Sequence, residues 1–456
     1  MITKKNIPTV FAVFLFFHLV IWTLAPSLSN INLPLDTIEA LAWGSNLDWG
    51  FDKHPPLSAL IVEIFYQIFG NQDWAYYFLS QIFVVTTFYV VWLLSKEFFQ
   101  DKIYSLISVF VLEGIFFYNF TSPEFNVNVC QLPFWALSVL YFWKGFKNNK
   151  VIDWLLFGVF AALGILSKYL FIYLLISLVI FFCFNNFKKK INFKSFISLI
   201  PFFLILFPHI IWLVENNFTT MTYGLHRTGA EDKIFLDHFL KPFFFLAKQF
   251  GILIPFFVMF LFLLSRFKIN IYLKDKKFLF LFAINIVPII LIFLTSIIMG
   301  VKIRTMWMTP FYLFFGVFFV YLYQVKIDKK KINSFFTVFI FLLVLSPATY
   351  SYISISKTDK RTDYPGKEIA RLVQNKWDNN FRNEIKIVVG DEWSAGNLSY
   401  HLNSRPLWIR SLQNKASSIK SNQGVVYIGN PEILKKICPG VFGKINPSGY
   451  CMIGQK

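Results

Sequence analysis

The sequence predicts an all-α polytopic membrane protein with a small C-terminal α/β domain, on three observations. First, 56% of its 456 residues are hydrophobic and only 15% charged, against roughly 45–50% and about 25% in soluble domains. Fifty-nine phenylalanines, in runs such as Phe202-Phe203-Leu204-Ile205-Leu206-Phe207, build apolar stretches of the about 18–20 residues that cross a hydrocarbon core. Second, the basic residues that give a net charge of +19 punctuate the apolar runs. A nucleic-acid reader would instead gather them on one folded face, so no nucleic-acid partner is expected. Third, the apolar runs stop near residue 350 and short strand-like stretches begin.

Taken in order, the apolar runs predict about eleven spans, at 8–26, 74–95, 103–119, 125–143, 152–167, 169–184, 195–214, 243–264, 278–299, 307–324 and 333–350. The first run has no small-residue cleavage site after Pro26 and is read as a span, not a signal peptide. With the N-terminus cytoplasmic, the inner loops hold Lys96 and Lys102; Lys144, Lys147 and Lys150; Lys188, Lys189, Lys190 and Lys194; Arg266, Lys268, Lys274, Lys276 and Lys277; and Lys326, Lys329, Lys330 and Lys331. That is the arrangement the positive-inside rule asks for. It requires residues 152–184 to form a hairpin with its turn at Ser167-Lys168-Tyr169 on the outer side. No inverted repeat of the transporter kind is visible.

The membrane domain then covers residues 1–350, with a long outer loop at 27–73 containing Leu57 to Phe69, too short to span and suited to an interfacial or re-entrant helix. The tail, 351–456, reads as a soluble domain: Ile385 to Gly390 and Val425 to Gly429 resemble buried strands, and Lys367–Trp377 and Ser394–Leu402 resemble helices. Odd span parity puts the tail outside, in the periplasm of a bacterial inner membrane, where Cys438 and Cys451 are free to pair; spacing alone does not prove that they do.

Candidate chemistry concentrates outside. In the first loop, Asp36, Glu39 and Trp43 would share a face if 36–46 is helical, and Trp49-Gly50-Phe51-Asp52-Lys53-His54-Pro55-Pro56 follows with a rigid exit. Partial desolvation of Asp36 or Glu39 against an aromatic would raise its pKa toward that of a general base. The same residues also suit a helix cap and an interfacial tryptophan belt. A second cluster is Pro123-Glu124-Phe125-Asn126-Val127-Asn128 at the mouth of the fourth span. Glu124 there would favour the helix dipole, while Asn126 and Asn128 are costly in a membrane unless they line a cavity. Lys168, Arg227 and Arg304 are outer cations; each either snorkels to the surface or binds an anion such as a lipid phosphate or pyrophosphate. Walker, dinucleotide-binding, His-Glu-x-x-His and paired CxxC motifs are absent from the sequence. No organic cofactor is expected and a divalent metal stays open, with no ligands assigned to it.

The first loop, from Asp36 through Trp43 and Trp49-Gly50-Phe51 to His54-Pro55-Pro56, resembles that of polyprenyl-phosphate-sugar-dependent glycosyltransferases of the GT-C fold, the group of protein O-mannosyltransferases and lipid A aminoarabinose transferases. Pro123-Glu124-Phe125-Asn126 with Asn128 and Trp135, Gly164 to Tyr169, and Trp307 with Pro310 extend the likeness over roughly residues 10–350. The resemblance implies transfer of a monosaccharide from a polyprenyl phosphate carrier to a lipid A, glycan or protein acceptor, with inversion. It implies Asp36 as general base; the second acidic role, at the position of Asn128 in many relatives, has moved to Glu124 here or is lost. Lys53, His54, Lys168 and Arg227 would hold the carrier phosphate; Trp43 and Trp49 would stack on sugar or lipid. Glu39, Asn128, Tyr169 and Arg304 complete the expected substrate-binding set. Two departures stand out: Thr37 follows the first acid where many relatives have Glu, and Asn128 stands where many have Asp. A flippase, or a non-catalytic assembly protein with an outer binding domain, is the alternative reading.

Overall fold

A computed structural model of the chain describes residues 5–186, 193–229, 234–265, 274–324, 327–410, 423–446 and 448–456. The predicted inner-loop residues Lys188, Lys189, Lys190, Arg266, Lys268 and Lys326 lie outside these.

The chain opens with α1 (Ile7–Ser29), whose first turn contains Pro8, a position where a missing N–H costs nothing. The long loop that follows contains two helices, α2 (Leu35–Ser45) and α3 (Leu57–Phe69). Next come α4 (Asp73–Phe98), with Asp73 in its first turn and Lys96 in its last, matching the helix dipole, and α5 (Lys102–Phe110), capped by Asp101. The expected third span does not continue as one helix: after α5 the chain tightens into two 3₁₀ turns, Val111–Gly114 and Phe116–Tyr118. Asn126 then caps α6 (Val127–Asn148), its side chain accepting from the amides of Asn128 at 2.9 Å and Val129 at 3.1 Å. After α7 (Val151–Ser167), Lys168 breaks the helix in an extended conformation, and α8 (Ile172–Asn186) begins beyond a short 3₁₀ turn.

The remaining helices of this domain are α9 (Leu199–Glu215), α10 (Thr219–Arg227), α11 (Asp237–Leu261), α12 (Lys276–Asn285), α13 (Val287–Met299), α14 (Phe315–Tyr323) and α15 (Ile332–Ser356). Each of the eleven predicted spans overlaps a helical segment, the third only in its first half. Among the described residues, six helical stretches are individually long and apolar enough to cross a membrane, and the pair Thr305–Tyr312 and Phe315–Tyr323, bent by 51°, gives a seventh. The others, such as α7 and α8, are shorter apolar helices. Phenylalanines on α9 and α11, including Phe203, Phe207, Phe243, Phe244 and Phe250, point outward, as lipid-facing side chains do.

Close helix approach explains several glycines. A methyl group on Gly158 would lie 2.0 Å from the Ser198 carbonyl, and one on Gly316 1.9 Å from the Ser108 carbonyl, so only glycine lets these backbones meet. One polar cluster is buried in the bundle: His18 Nδ1 lies 2.7 Å from Glu113 Oε1, and Asn119 donates to the other carboxylate oxygen at 3.1 Å.

Beyond Ser356 the chain forms α16 (Gly366–Asp378), β1 (Ile387–Val389), α17 (Ser394–His401), β2 (Leu407–Ile409), β3 (Val425–Gly429), α18 (Pro431–Ile437), β4 (Val441–Ile445) and β5 (Ser448–Ile453). The sheet order is β2-β1-β3-β5-β4, with β1 parallel to β2 and β3, and β5 antiparallel to β3 and β4. Cys438 and Cys451 form a disulfide, with Cα atoms 5.5 Å apart.

This domain is clamped onto the first long loop. Its buried core is continuous with Ala42, Trp43, Phe51 and Ala59 of that loop. Arg405 bonds the Leu41 carbonyl and Glu63 Oε2, both at 2.7 Å, and lies 4.1 Å above the Tyr66 ring. Asn32 donates to Asn397 at 2.9 Å, Tyr400 to Asp73 at 2.6 Å, and the Trp408 amide to Ser45 Oγ at 2.9 Å. The loop therefore sits between the helical bundle and the sheet domain.

Candidate active site

The site begins at the N-terminus of α2. Pro34 occupies the N-cap position and has no side-chain acceptor to offer, so Asp36 lies inside the first turn and does not cap the helix. The helix-end amides still need acceptors. Glu124, arriving from the turn before α6, supplies one: its Oε1 accepts from the Asp36 amide at 3.0 Å. The Thr37 hydroxyl donates to the Phe125 carbonyl at 3.1 Å. Two acids far apart in sequence thereby meet at one helix end.

Both are shifted. Burial raises the Asp36 carboxyl above its ordinary value, opposed by the charges of Lys168, Lys53, Arg227 and Arg361. Burial, reinforced by the Asp36 charge, pushes Glu124 up to about 8. Facing them is Lys168, 4% exposed, whose ammonium donates to Asn128 Oδ1 and lies 5.3 Å above the Trp307 ring. Burial drives Lys168 down to about 7 against the pull of Asp36.

The second half of the loop carries Lys53 and His54. The turn is closed by the Phe51 amide on the His54 carbonyl at 3.1 Å. Gly50 passes over the face of Trp212 on α9, so close that a methyl group there would lie 2.3 Å from the indole. The Thr220 hydroxyl of α10 donates to the Phe51 carbonyl at 2.6 Å. Lys53 pairs with Glu39 of α2 and, at 3.2 Å, with Glu392 of the sheet domain. Burial works against its charge, but the two carboxylates hold it above its ordinary value. Glu39, in turn, is pushed by burial up to about 7 despite Lys53. Burial, with the neighbouring charges of Lys168, Lys53 and Arg227, drives His54 down to about 3, so the imidazole is neutral at pH 7.

Asp36, Glu124, Asn128, Lys168, Glu39, Lys53 and His54 are thus gathered at one end of the bundle. Arg227, exposed on α10, contributes charge to Asp36 and His54 from a distance, and its guanidinium lies 5.9 Å from the Tyr223 ring. Tyr169 Oη is 2.7 Å from His209 Nε2, whose Nδ1 bonds the Trp49 carbonyl at 2.6 Å. Tyr169 therefore bears on the loop through His209. The Trp49 ring is 54% exposed and free to meet a ligand. Trp43 has a different place from the one expected: its ring is buried and stacked on Phe51 at 5.2 Å, with His54 at its edge, so its faces are used inside the protein. Arg304 is half-buried at the start of the Thr305–Tyr312 turn, its carbonyl accepting from Trp307 at 3.0 Å. Among the described residues no group of three His, Cys, Asp or Glu side chains is arranged to hold a metal ion.

Sequence reasoning assigned no residue of the tail to the site. Glu392 reaches Lys53, and Arg410 bonds Asp52 at 2.6 Å. One signal was present: Asp391-Glu392-Trp393 directly follows the strand-like stretch ending at Gly390, and the carboxyl ends of parallel strands are where such folds place ligand-facing residues.

Residues 53–212 match the sequence model of the dolichyl-phosphate-mannose-protein mannosyltransferase family. The structure of ArnT from Cupriavidus metallidurans bound to undecaprenyl phosphate is similar over 97% of this chain and 97% of that one, with a TM-score of 0.67 and 10% identity. The chain has the GT-C fold. ArnT from the same organism in the apo state is similar over 98% of both chains, with a TM-score of 0.55 and 10% identity. A search of curated protein sequences gives no match. With the apolar helices above, the GT-C fold makes the chain a multi-pass membrane protein.

Proposed function

We propose that this protein is an inverting glycosyltransferase. It moves a monosaccharide from a polyprenyl phosphate carrier of the undecaprenyl type to a lipid, glycan or protein acceptor at the outer face of a bacterial inner membrane. The N-terminus is cytoplasmic, the sheet domain is periplasmic, and the membrane part ends near residue 350. The observation that carries the reading is the half-buried Asp36–Glu124 pair, joined at the α2 N-terminus, facing a buried Lys168.

Of the two acids, Glu124 keeps its proton at pH 7, because its pKa is pushed to about 8. Burial raises Asp36 as well, but four cations oppose that rise, and we assign it as the base. A carboxylate of raised pKa is suited to general-base work. Asp36 takes the proton of the acceptor hydroxyl as its oxygen attacks the anomeric carbon from the side opposite the phosphate. The bond between that carbon and the phosphate oxygen breaks, and its electron pair leaves with the phosphate. The carrier passes from a singly charged phosphodiester to a monoester with a second negative charge. Lys168, preorganised by Asn128 and Trp307, stabilises that charge where water is excluded, and Lys53 and Arg227 add to the field. No step is assigned to a metal.

Family and fold support glycosyl transfer as the chemistry; the sugar, acceptor and orientation belong to this proposal. Mass spectrometry of envelope lipids and glycans tests it. A deletion strain should lack one hexose-sized addition, restored by the wild-type gene and not by Asp36→Asn at equal expression. An unchanged envelope profile in the deletion strain contradicts the reading.

A further inference from the structure

We infer that the sheet domain carries a subsite for a neutral pyranose ring of the acceptor, built on Trp393, Tyr364 and Arg361; this rests on the glycosyltransferase reading and names the acceptor chemistry. An open depression of about 360 Å³ is lined by Asp359, Lys360, Arg361, Asp363, Tyr364 and Trp393, at the lower end of the about 300–1,000 Å³ typical of small-molecule sites. Trp393 and Tyr364 are half-buried, with ring centroids 5.2 Å apart and planes at 57°. The Arg361 guanidinium lies 5.8 Å from the Trp393 ring.

Two features fit a sugar better than a phosphate. Two acids and two bases line the cleft, so it has no net charge, and Lys360 is already committed to Asp363 at 2.9 Å. An anion gains little there. A pyranose presents an apolar C–H face that stacks on an aromatic ring and a rim of hydroxyls that donate to carboxylates and accept from a guanidinium. Asp359 and Arg361 supply that complement, while Asp363 is held by Lys360.

The cleft is also tied to the reacting centre. The Thr362 carbonyl accepts from the amides of Ile31 at 3.0 Å and Asn32 at 2.9 Å, so segment 359–364 is anchored to the chain that leads into α2 and Asp36. Next to Trp393, Glu392 holds Lys53 at 3.2 Å. The charge of Arg361 is felt at Asp36. A ring held on Trp393 would therefore lie on the approach to the base.

The test uses the full-length protein in detergent micelles and, as probes, the methyl glycosides of glucose, galactose, mannose and N-acetylglucosamine, observed by saturation-transfer NMR. At least one glycoside should receive saturation. Trp393→Ala should reduce the signal at least fivefold, and Arg361→Gln, at an exposed position, about threefold. Trp393→Tyr should keep most of it, which a general loss of folding would not allow. Asp36→Asn should leave it intact, separating this subsite from the catalytic assignment. No transfer to any glycoside, or a signal unchanged by both Trp393→Ala and Arg361→Gln, overturns the proposal. If the subsite binds as expected while Asp36→Asn still transfers sugar, the base assignment fails and the subsite stands.

Discussion

Lys168 gives the most quantitative prediction. Its ammonium is buried, and its pKa falls from the ordinary 10.5 to about 7. At about 1.4 kcal/mol per pKa unit, that fall corresponds to about 5 kcal/mol of unfavourable charge burial, which an anion placed beside it would offset. The donor phosphodiester is such an anion, and its single charge does not titrate near neutrality. Truncating one partner of a buried charge pair costs about 2–5 kcal/mol, so Lys168→Met should lower kcat/KM for the donor by about 30- to 4,000-fold. The sign of the pH effect follows from the direction of the shift. Free Lys168 is charged below about 7 and neutral above it, so wild-type kcat/KM for the donor should fall as pH rises from 6 to 8.5. Lys168→Arg, which stays charged throughout, should flatten that limb. The assay is transfer of labelled sugar from synthetic polyprenyl phosphate donor in proteoliposomes, at limiting donor. A Lys168→Met enzyme within threefold of wild type, with the same alkaline limb, would refute the anion-binding role.

Three further outcomes follow. Because Glu124 keeps its proton up to about 8, Glu124→Gln should match wild-type activity within about threefold at pH 6.5 and separate from it only above pH 8; a 30-fold loss at pH 6.5 would show that Glu124 acts as more than a neutral acceptor for the Asp36 amide. A methyl on Gly50 would meet the Trp212 ring at 2.3 Å, so Gly50→Ala should cost about 1–3 kcal/mol of stability, read as thermal unfolding in detergent, and Trp212→Leu in the same chain should recover part of it. Replacing Cys438 and Cys451 by serine opens a link spanning 13 residues, worth about 3 kcal/mol by loop closure, and should expose the β4–β5 end of the sheet domain to limited proteolysis.

The membrane part was readable because its physics is one-dimensional. Apolar runs fix the helices, and a lysine such as Lys168 can interrupt an apolar block only where the helix breaks. The short pieces were harder. β2 is three residues, and Gly443 and Gly449 interrupt β4 and β5, so the tail shows two clear strands where the sheet has five. Within the site, Asp36, Lys53, His54, Glu124 and Lys168 stood out as polar residues among apolar ones. Their partners did not. That Glu124 would cap α2, that Glu392 would reach Lys53 and that Arg410 would reach Asp52 depends on tertiary packing between segments tens to hundreds of residues apart. Trp43 shows the converse: the helical spacing with Asp36 and Glu39 was real, but the docked sheet domain and Phe51 took its ring into the core.

The central claim is that Asp36 is the base that makes the acceptor oxygen nucleophilic. It is tested most directly by single-turnover sugar transfer from the polyprenyl phosphate donor in proteoliposomes, comparing wild type with Asp36→Asn at equal amounts of folded protein. The structure predicts that the asparagine variant still binds donor within about threefold, since Lys168 and Asn128 are untouched, while transfer falls by about 100-fold or more, the scale of losing a general base. Transfer at the wild-type rate by Asp36→Asn would contradict it.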